Sequence, residues 1–125
     1  MARTPDEVVT DFCKLWYHHP DLDAIVECFT EDAVYLNIPL PQVEGREAIR
    51  ESIAGFVGAF DHIEFTVHLQ VSNGDLVMNE RTDVMIKKGG GELALPVVGV
   101  FEVRDGRIAA WRDYFDLATV TAAFG

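Results

Sequence analysis

Basic residues, cysteines and long apolar runs are all scarce in this sequence of 125 residues. Ten Lys and Arg stand against 21 Asp and Glu, which gives a formal net charge of -11. Nucleic acid and anionic membranes are therefore not expected partners. No apolar stretch approaches the roughly 18 residues that a membrane-spanning helix needs. The opening MARTPDEVV is polar where a signal peptide would be apolar, so we expect a cytoplasmic protein.

The two cysteines, Cys13 and Cys28, both fall in stretches of helical spacing. A single disulfide is one option, but two cysteines among apolar residues in an untargeted chain are more often free, buried thiols. They lack the spacing and the histidine partners of a zinc site. The sequence also contains no G-x-S-x-G, no phosphate-binding loop and no dinucleotide fingerprint. We therefore expect no metal and no cofactor.

The length fits one domain, residues 1–125, of which 49% are hydrophobic. Thr4 and Glu7 can form a capping box that starts a helix, and a short second helix should run from Asp21 to Phe29. A strand over 33–38 and a third helix over 45–60 follow. Four strands of period two come next, over 63–71, 76–86, 93–103 and 107–115. A short helix capped by Asp116 follows them.

The turns between these last strands are short. Short turns make neighbouring strands antiparallel, so the pattern predicts an α+β domain with helices on one face of a curved sheet. A sheet that wraps around a helix leaves a concave cavity, which suits a small-molecule site.

Polar residues stand two apart on three of the predicted strands, and residues two apart share a face of the sheet. The sets are Tyr35 with Asn37, Asn79 with Arg81 and Asp83, and Trp111 with Asp113. Each set alone is most often a solvated strand face. Asp113, however, lies between Trp111 and Phe115, and a solvated face would rarely place an acid between two large aromatic residues.

A carboxylate held among apolar side chains is desolvated, which raises its pKa and suits acid–base work. Two carboxylates that share one arginine can divide into one ionised and one protonated acid. The sequence therefore favours Asp83 and Asp113 as an acid–base pair, with Arg81 beside them.

Four segments then resemble, in order, the limonene-1,2-epoxide hydrolase family of the SnoaL/NTF2-like superfamily: YLNIP at 35–39, ERTDV at 80–84, VGVF at 98–101 and WRDYFDL at 111–117. The resemblance implies a cone-shaped NTF2-like fold, with a curved mixed or antiparallel sheet wrapped around helices and an internal pocket. It also implies one-step hydrolysis of a small apolar epoxide to a vicinal diol by water, without a cofactor.

The resemblance also implies a role for each matching residue. Asp113 would be the general base that takes a proton from water, and Tyr35 and Asn37 would help to hold that water. Asp83 would be the general acid that protonates the epoxide oxygen, and Arg81 would bridge the two carboxylates. The N-terminus is shorter than in well-known members of the family, which could leave the pocket mouth more open.

The walls of the pocket follow from strand parity and from the third helix. Trp111 is expected to support the site. The expected apolar walls are Met85, Leu95, Val97 and Phe115, with Phe56 or Phe60 from the third helix. For each of these the alternative is ordinary core.

Two other functions stay open at this point. A ketosteroid isomerase- or polyketide cyclase-like enzyme on the same scaffold would use one carboxylate base and an oxyanion-stabilising donor. A non-catalytic small-molecule-binding or dimerisation module would not need the polar residues to converge. A homodimer fits every case, and Val98 and Val100 with Phe65 or Val67 could form its apolar face or belong to the core.

Overall fold

The computed structural model describes residues 3–124, so residues 1, 2 and 125 of the predicted domain lie outside the described part. Helices and strands follow one another in the order α1 (Pro5–Lys14), α2 (Leu22–Glu27), β1 (Phe29–Ile38), β2 (Val43–Glu44), α3 (Arg46–Val57), β3 (Phe60–Asn73), β4 (Leu76–Lys87), β5 (Glu92–Arg104), β6 (Arg107–Tyr114) and α4 (Leu117–Phe124).

The strands form one six-stranded sheet in the order β2-β1-β6-β5-β4-β3. Strands β1 and β6 are parallel, and every other neighbouring pair is antiparallel. The predicted α+β class with a mixed sheet is therefore confirmed. The parallel pair brings β1, from the start of the chain, beside β6, from its end.

Helix α1 packs its apolar stripe against the inner face of the sheet. The predicted capping box starts it: the Glu7 N–H donates to the Thr4 hydroxyl at 3.1 Å, and the Thr4 N–H donates to the Glu7 carboxylate at 2.9 Å. Phe12 on this stripe and Trp16, just beyond the end of the helix, are both buried, and Phe12 contacts Trp111 edge to face with 4.9 Å between ring centroids. This aromatic core supports the sheet from below the site.

Several boundaries differ from those expected; β1, for example, begins at Phe29 and not at residue 33. Helix α2 ends at Glu27, because the Phe29 backbone pairs with β6 opposite Ile108 and so belongs to β1. Helix α3 ends at Val57, with Gly58 as its C-cap, so Phe60 lies at the start of β3. The short strand β2 was not predicted, since two residues carry no periodicity.

A register shift between Val67 and Leu69 interrupts β3. The unbroken period of two expected for 63–71 is therefore wrong. Phe65 stays on the inner side, stacked on Trp16 at 4.8 Å. Leu69 and Val71 turn to the outer side, where they are 57% and 61% exposed. Phe65 therefore cannot belong to an outer apolar face.

The two cysteines are free: Cys13 is buried beneath the sheet and Cys28 is half-buried. Among residues 3–124, no group of three or more His, Cys, Asp or Glu side chains is placed to hold a metal ion. Within the same range, no helix combines the length and the apolar character that crossing a membrane requires.

Candidate active site

The polar residues of three strands meet on the inner face of the sheet because β5 offers no side chain between them. In the register of the sheet, Asn79 of β4 lies opposite Gly99 of β5, and Gly99 lies opposite Asp113 of β6. The long Arg81 side chain uses the space above Gly99 to reach Asp113 across the intervening strand. Strand alternation places Asp83 two residues further along the same face.

Arg81 joins the two carboxylates through its guanidinium group. Its Nε donates to Asp83 Oδ1 at 2.7 Å, and its Nη2 donates to Asp83 Oδ2 at 3.1 Å. The same Nη2 donates to Asp113 Oδ2 at 2.5 Å. The second Asp113 oxygen accepts a hydrogen bond from Trp111 Nε1 at 2.7 Å. The three charged groups therefore form one continuous cluster.

All three charged residues of this cluster are buried: Arg81 is 1% exposed, Asp83 6% and Asp113 5%. Burial raises the pKa of Asp83 to about 6, against the opposing effect of Arg81. Burial also raises the pKa of Asp113. Burial works against the charge of Arg81, but the two carboxylates outweigh it, so the pKa of Arg81 is raised and the guanidinium stays charged. One ionised carboxylate balances this charge, and the other can keep its proton.

Strand β1 brings Tyr35 and Asn37 to the same place. In the parallel ladder Tyr35 lies beside Trp111 and Asn37 lies beside Asp113. The Tyr35 ring stacks on Trp111 with 4.4 Å between centroids. Burial and the nearby Asp113 raise the pKa of Tyr35, so its hydroxyl group is neutral and can donate a hydrogen bond. Both side chains face the cavity next to Asp113.

A mainly apolar cavity of about 150 Å³ opens above the cluster. Asp83, Asp113, Tyr35 and Asn37 form its polar end. Its walls include six of the residues that the sequence placed there: Trp111, Met85, Leu95, Val97, Phe115 and Phe56. The buried carboxylates therefore face a space that can hold a small apolar molecule.

Phe60 does not line this cavity, so its assignment to the third helix and to the pocket wall was wrong. Because α3 ends at Val57, the Phe60 ring lies behind Phe56, at 5.0 Å between centroids, and against Phe124 at 5.6 Å. It lines a neighbouring apolar cleft instead.

The sequence did not single out seven further residues that line the cavity: Trp16, Leu40, Phe65, Leu93, Leu117, Val120 and Phe124. Leu93 could have been found, since it stands two residues before Leu95 on the same strand. Leu117, Val120 and Phe124 have the spacing of one helix face, which predicts a buried side but does not say what it covers. In the structure α4 closes one side of the cavity.

The fold of the chain is that of solved SnoaL-like and NTF2-like structures, and here it encloses an apolar cavity with a buried charged cluster. The family model of the limonene-1,2-epoxide hydrolase catalytic domain matches residues 4–124. The chain belongs to this family, and the family resemblance seen in the sequence is confirmed.

Individual relatives agree with this assignment. Epoxide hydrolase EphG of Mycobacterium tuberculosis is 36% identical over 100 residues, which are 78% of this chain and 64% of that protein. The chain thus spans less than two thirds of this relative. The structure of a limonene epoxide hydrolase-like epoxide hydrolase of M. tuberculosis matches with a TM-score of 0.82 at 30% identity, over 95% of this chain and 87% of that one.

A more distant structure shows the fold alone. A SnoaL-like protein of Jannaschia sp. CCS1 matches with a TM-score of 0.85 at 22% identity, over 95% of this chain and 90% of that one. The cone-shaped NTF2-like fold predicted from the sequence is therefore confirmed.

Proposed function

We propose that this protein is an epoxide hydrolase that adds water to a small apolar epoxide in one step and releases a vicinal diol. The observation that carries the proposal is the sharing of one buried guanidinium by two carboxylates, both facing an apolar cavity. Membership of the limonene-1,2-epoxide hydrolase family supports it. The reaction needs water and a proton donor, and the proposal includes no cofactor and no metal.

Asp113 is the general base in this proposal. Asn37 lies beside it in the sheet, and Tyr35 lies two residues before Asn37 on the same face, so a water held by these two polar side chains would be next to the carboxylate. Asp113 takes one proton from that water while the water oxygen bonds to an epoxide carbon. Holding the water in place lowers the entropy that the transition state must lose.

Asp83 is the general acid, and it stands on the other side of Arg81. As the C–O bond of the epoxide breaks, Asp83 transfers its proton to the departing oxygen. The pKa of Asp83, raised by burial to about 6, keeps this proton available in mildly acidic solution. A positioned acid or base contributes about 10²- to 10⁴-fold in rate.

The total charge of Arg81, Asp83 and Asp113 stays constant during the proposed reaction. Before the step Asp113 is ionised and Asp83 carries the proton, and after it the two have exchanged states. The pair holds one proton throughout, so the guanidinium always faces one anion and no net charge is created in the buried site. The proton returns from Asp113 to Asp83 through solvent after the diol leaves.

The cavity favours a compact substrate. Engineered protein cavities of about 150 Å³ hold one benzene-sized ring, and the cavity of this protein is of the same size. A cyclohexene-type epoxide would fit without rearrangement, whereas a terpene epoxide would need α4 to move outward.

The experiment is turnover of cyclohexene, styrene and terpene epoxides in oxygen-18 water, with the diols separated by chromatography and weighed by mass spectrometry. We expect one labelled oxygen per diol, and a loss of at least about 10²-fold in Asp83→Asn and in Asp113→Asn. The exposed Asp75→Asn is the matched control and should keep full turnover. Diol formation that survives both buried substitutions would refute the mechanism.

An isomerase or cyclase would need one base and a free oxyanion donor, and a second buried carboxylate on the same arginine does not serve that chemistry. A non-catalytic module would not require Tyr35, Asn37, Arg81, Asp83 and Asp113 to converge on one cavity. We therefore propose neither function. The cytoplasmic location and the single catalytic domain stay predictions.

We also propose that two copies associate through the outer face of the sheet. Six exposed apolar side chains lie on this face: Leu69, Val71, Leu76, Met78, Val98 and Tyr114. Exposed apolar groups gathered on one face, rather than scattered singly, are typical of protein–protein interfaces. A second copy would present the same face, so a twofold dimer would cover both at once.

A further inference from the structure

The bulge in β3 places Gln70 on the inner side of the sheet. Up to Val67 the odd-numbered residues of this strand face inward, and regular alternation would turn Leu69 inward and Gln70 out. The register shift between Val67 and Leu69 reverses this, so Gln70 faces Asn79 across the β3–β4 ladder. Bulges near sites commonly re-aim a side chain in this way.

Helix α1 fixes the orientation of the Gln70 amide. Its Nε2 donates to Asp6 Oδ1 at 2.8 Å and to Thr10 Oγ1 at 3.0 Å. The oxygen Oε1 must then point the other way, towards Asn79. A reversed amide would set Oε1 against the Asp6 carboxylate, which can only accept hydrogen bonds when ionised.

Gln70 in turn fixes the amide of Asn79, which is only 2% exposed. Asn79 Nδ2 donates to Gln70 Oε1 at 3.0 Å and lies 3.7 Å from Cys13 Sγ. Burial raises the pKa of Cys13 to about 12, so this sulfur is a neutral thiol. Asn79 Oδ1 is left to accept from Arg81 Nη1 at 3.3 Å. A directed hydrogen-bond chain therefore runs from α1 to the shared arginine.

Asn79 supplies the hydrogen-bond acceptor for the third nitrogen of the buried guanidinium. Nε and Nη2 of Arg81 are taken by the two carboxylates, and Nη1 has Asn79 as its acceptor. The Phe65 ring covers one side of the group, 4.6 Å from Arg81 Cζ. Because the Asn79 acceptor is uncharged, it fixes the rotation of the guanidinium without drawing its charge away from Asp83 and Asp113.

We propose that Asn79 is a positioning residue: oriented by Gln70 from α1, it holds the Arg81 guanidinium at the angle that joins both carboxylates. The inference rests on the proposed epoxide hydrolysis for its kinetic effect, but the geometry it describes does not depend on turnover. Asn79 does not line the cavity and acts through Arg81.

The first test is steady-state turnover of cyclohexene oxide by Asn79→Ala and Gln70→Leu. We expect kcat of Asn79→Ala to fall about ten- to hundredfold, the size expected for one hydrogen bond to a charged group, with KM nearly unchanged. Gln70→Leu should lower kcat less, because the Asn79 amide can still point at Arg81 part of the time. Asn79→Ser, which keeps a small acceptor, should recover part of the loss. The exposed Asn73→Ala is the control.

The second test needs no turnover. Asn79→Ala removes the acceptor of Arg81 Nη1 without adding a charge. Arg81 lowers the pKa of Asp83, so a guanidinium that is no longer held beside Asp83 should let this pKa rise. We expect carbon-13 NMR titration of the side-chain carboxyl groups to show that rise. Asn73→Ala, in the turn, should leave the pKa of Asp83 unchanged.

The two tests separate the two proposals. If the wild-type protein hydrolyses no epoxide but Asn79→Ala moves the Asp83 titration, the proposed function fails and the positioning role stands. If Asn79→Ala folds with kcat and the Asp83 titration at wild-type values, the positioning role is refuted. Should Asn79→Ala fail to fold, Gln70→Leu decides by the same two measurements.

Discussion

Gly99 and Arg81 share a space that only a glycine leaves free. A Cβ at position 99 would lie 2.5 Å from Arg81 Nη1, and 3.0 Å from both Asn79 Oδ1 and Asp113 Oδ1. The backbone at Gly99 has an ordinary strand conformation. Glycine is therefore required here by the close approach of the guanidinium, which crosses β5 to reach Asp113.

Gly99→Ala should displace the guanidinium and break the sharing of Arg81 by the two carboxylates. We expect epoxide turnover to fall at least about tenfold and the free energy of unfolding to fall by about 1–3 kcal/mol, the usual effect of overpacking a core. Urea unfolding and diol formation would measure the two effects. Gly55→Ala is the control, because no atom lies within 4 Å of a Cβ there and alanine is about 1 kcal/mol better than glycine inside a helix. Wild-type turnover in Gly99→Ala would show that the space is not needed.

The pH dependence of turnover should follow the proton on Asp83. The raised pKa of about 6 means that this carboxyl group loses its proton as the pH increases past that value. Because the proposed general acid must carry a proton, kcat/KM should decline above about pH 6, by about tenfold for each further pH unit. Initial rates from pH 4 to pH 9, in buffers of constant ionic strength, would show this. A flat profile up to pH 9 would contradict Asp83 as the acid.

The sequence predicted which residues of one strand share a face far better than it predicted the features that depend on two strands at once. Parity placed Arg81 with Asp83, and Trp111 with Asp113, on shared faces, because alternation is a local property of the backbone. The bulge that turns Gln70 inward is a mismatch between β3 and β4, and no local pattern reports it. The need for Gly99 arises from the Arg81 side chain of the neighbouring strand β4. The spacing of Leu117, Val120 and Phe124 indicates that α4 has an apolar face, but it does not indicate that this face covers a cavity.

The proposed dimer should dissociate when charge is added to the outer face. Met78 and Val98 lie on adjacent strands of that face, and both are exposed in the single chain. Met78→Lys combined with Val98→Lys should shift the mass measured by sedimentation equilibrium from two chains to one, because a buried unpaired charge is costly. Tyr17→Lys, at an exposed apolar residue of another surface, is the control. A wild-type protein that sediments as one chain would remove the basis of this proposal.

Lys87 contacts the C-terminal end of α4, the helix that closes one side of the cavity. Its Nζ donates to the Ala123 carbonyl at 3.1 Å and lies 5.2 Å from the centre of the Phe124 ring. A cation near the last carbonyl groups also favours the helix dipole. No residue of α4 is fully buried, so this contact adds to the packing of Val120 and Ala123 against the core in holding the helix.

Lys87→Met should therefore loosen α4 while leaving the carboxylate pair untouched. We expect faster amide hydrogen exchange over 117–124 and a higher kcat/KM for a terpene epoxide relative to cyclohexene oxide, because the larger ring needs the helix to move outward. The neighbouring Lys88 is exposed, so Lys88→Met removes the same charge without releasing α4 and is the matched control. If the ratio of the two kcat/KM values changes equally in both variants, net charge is responsible and α4 does not limit the size of the substrate.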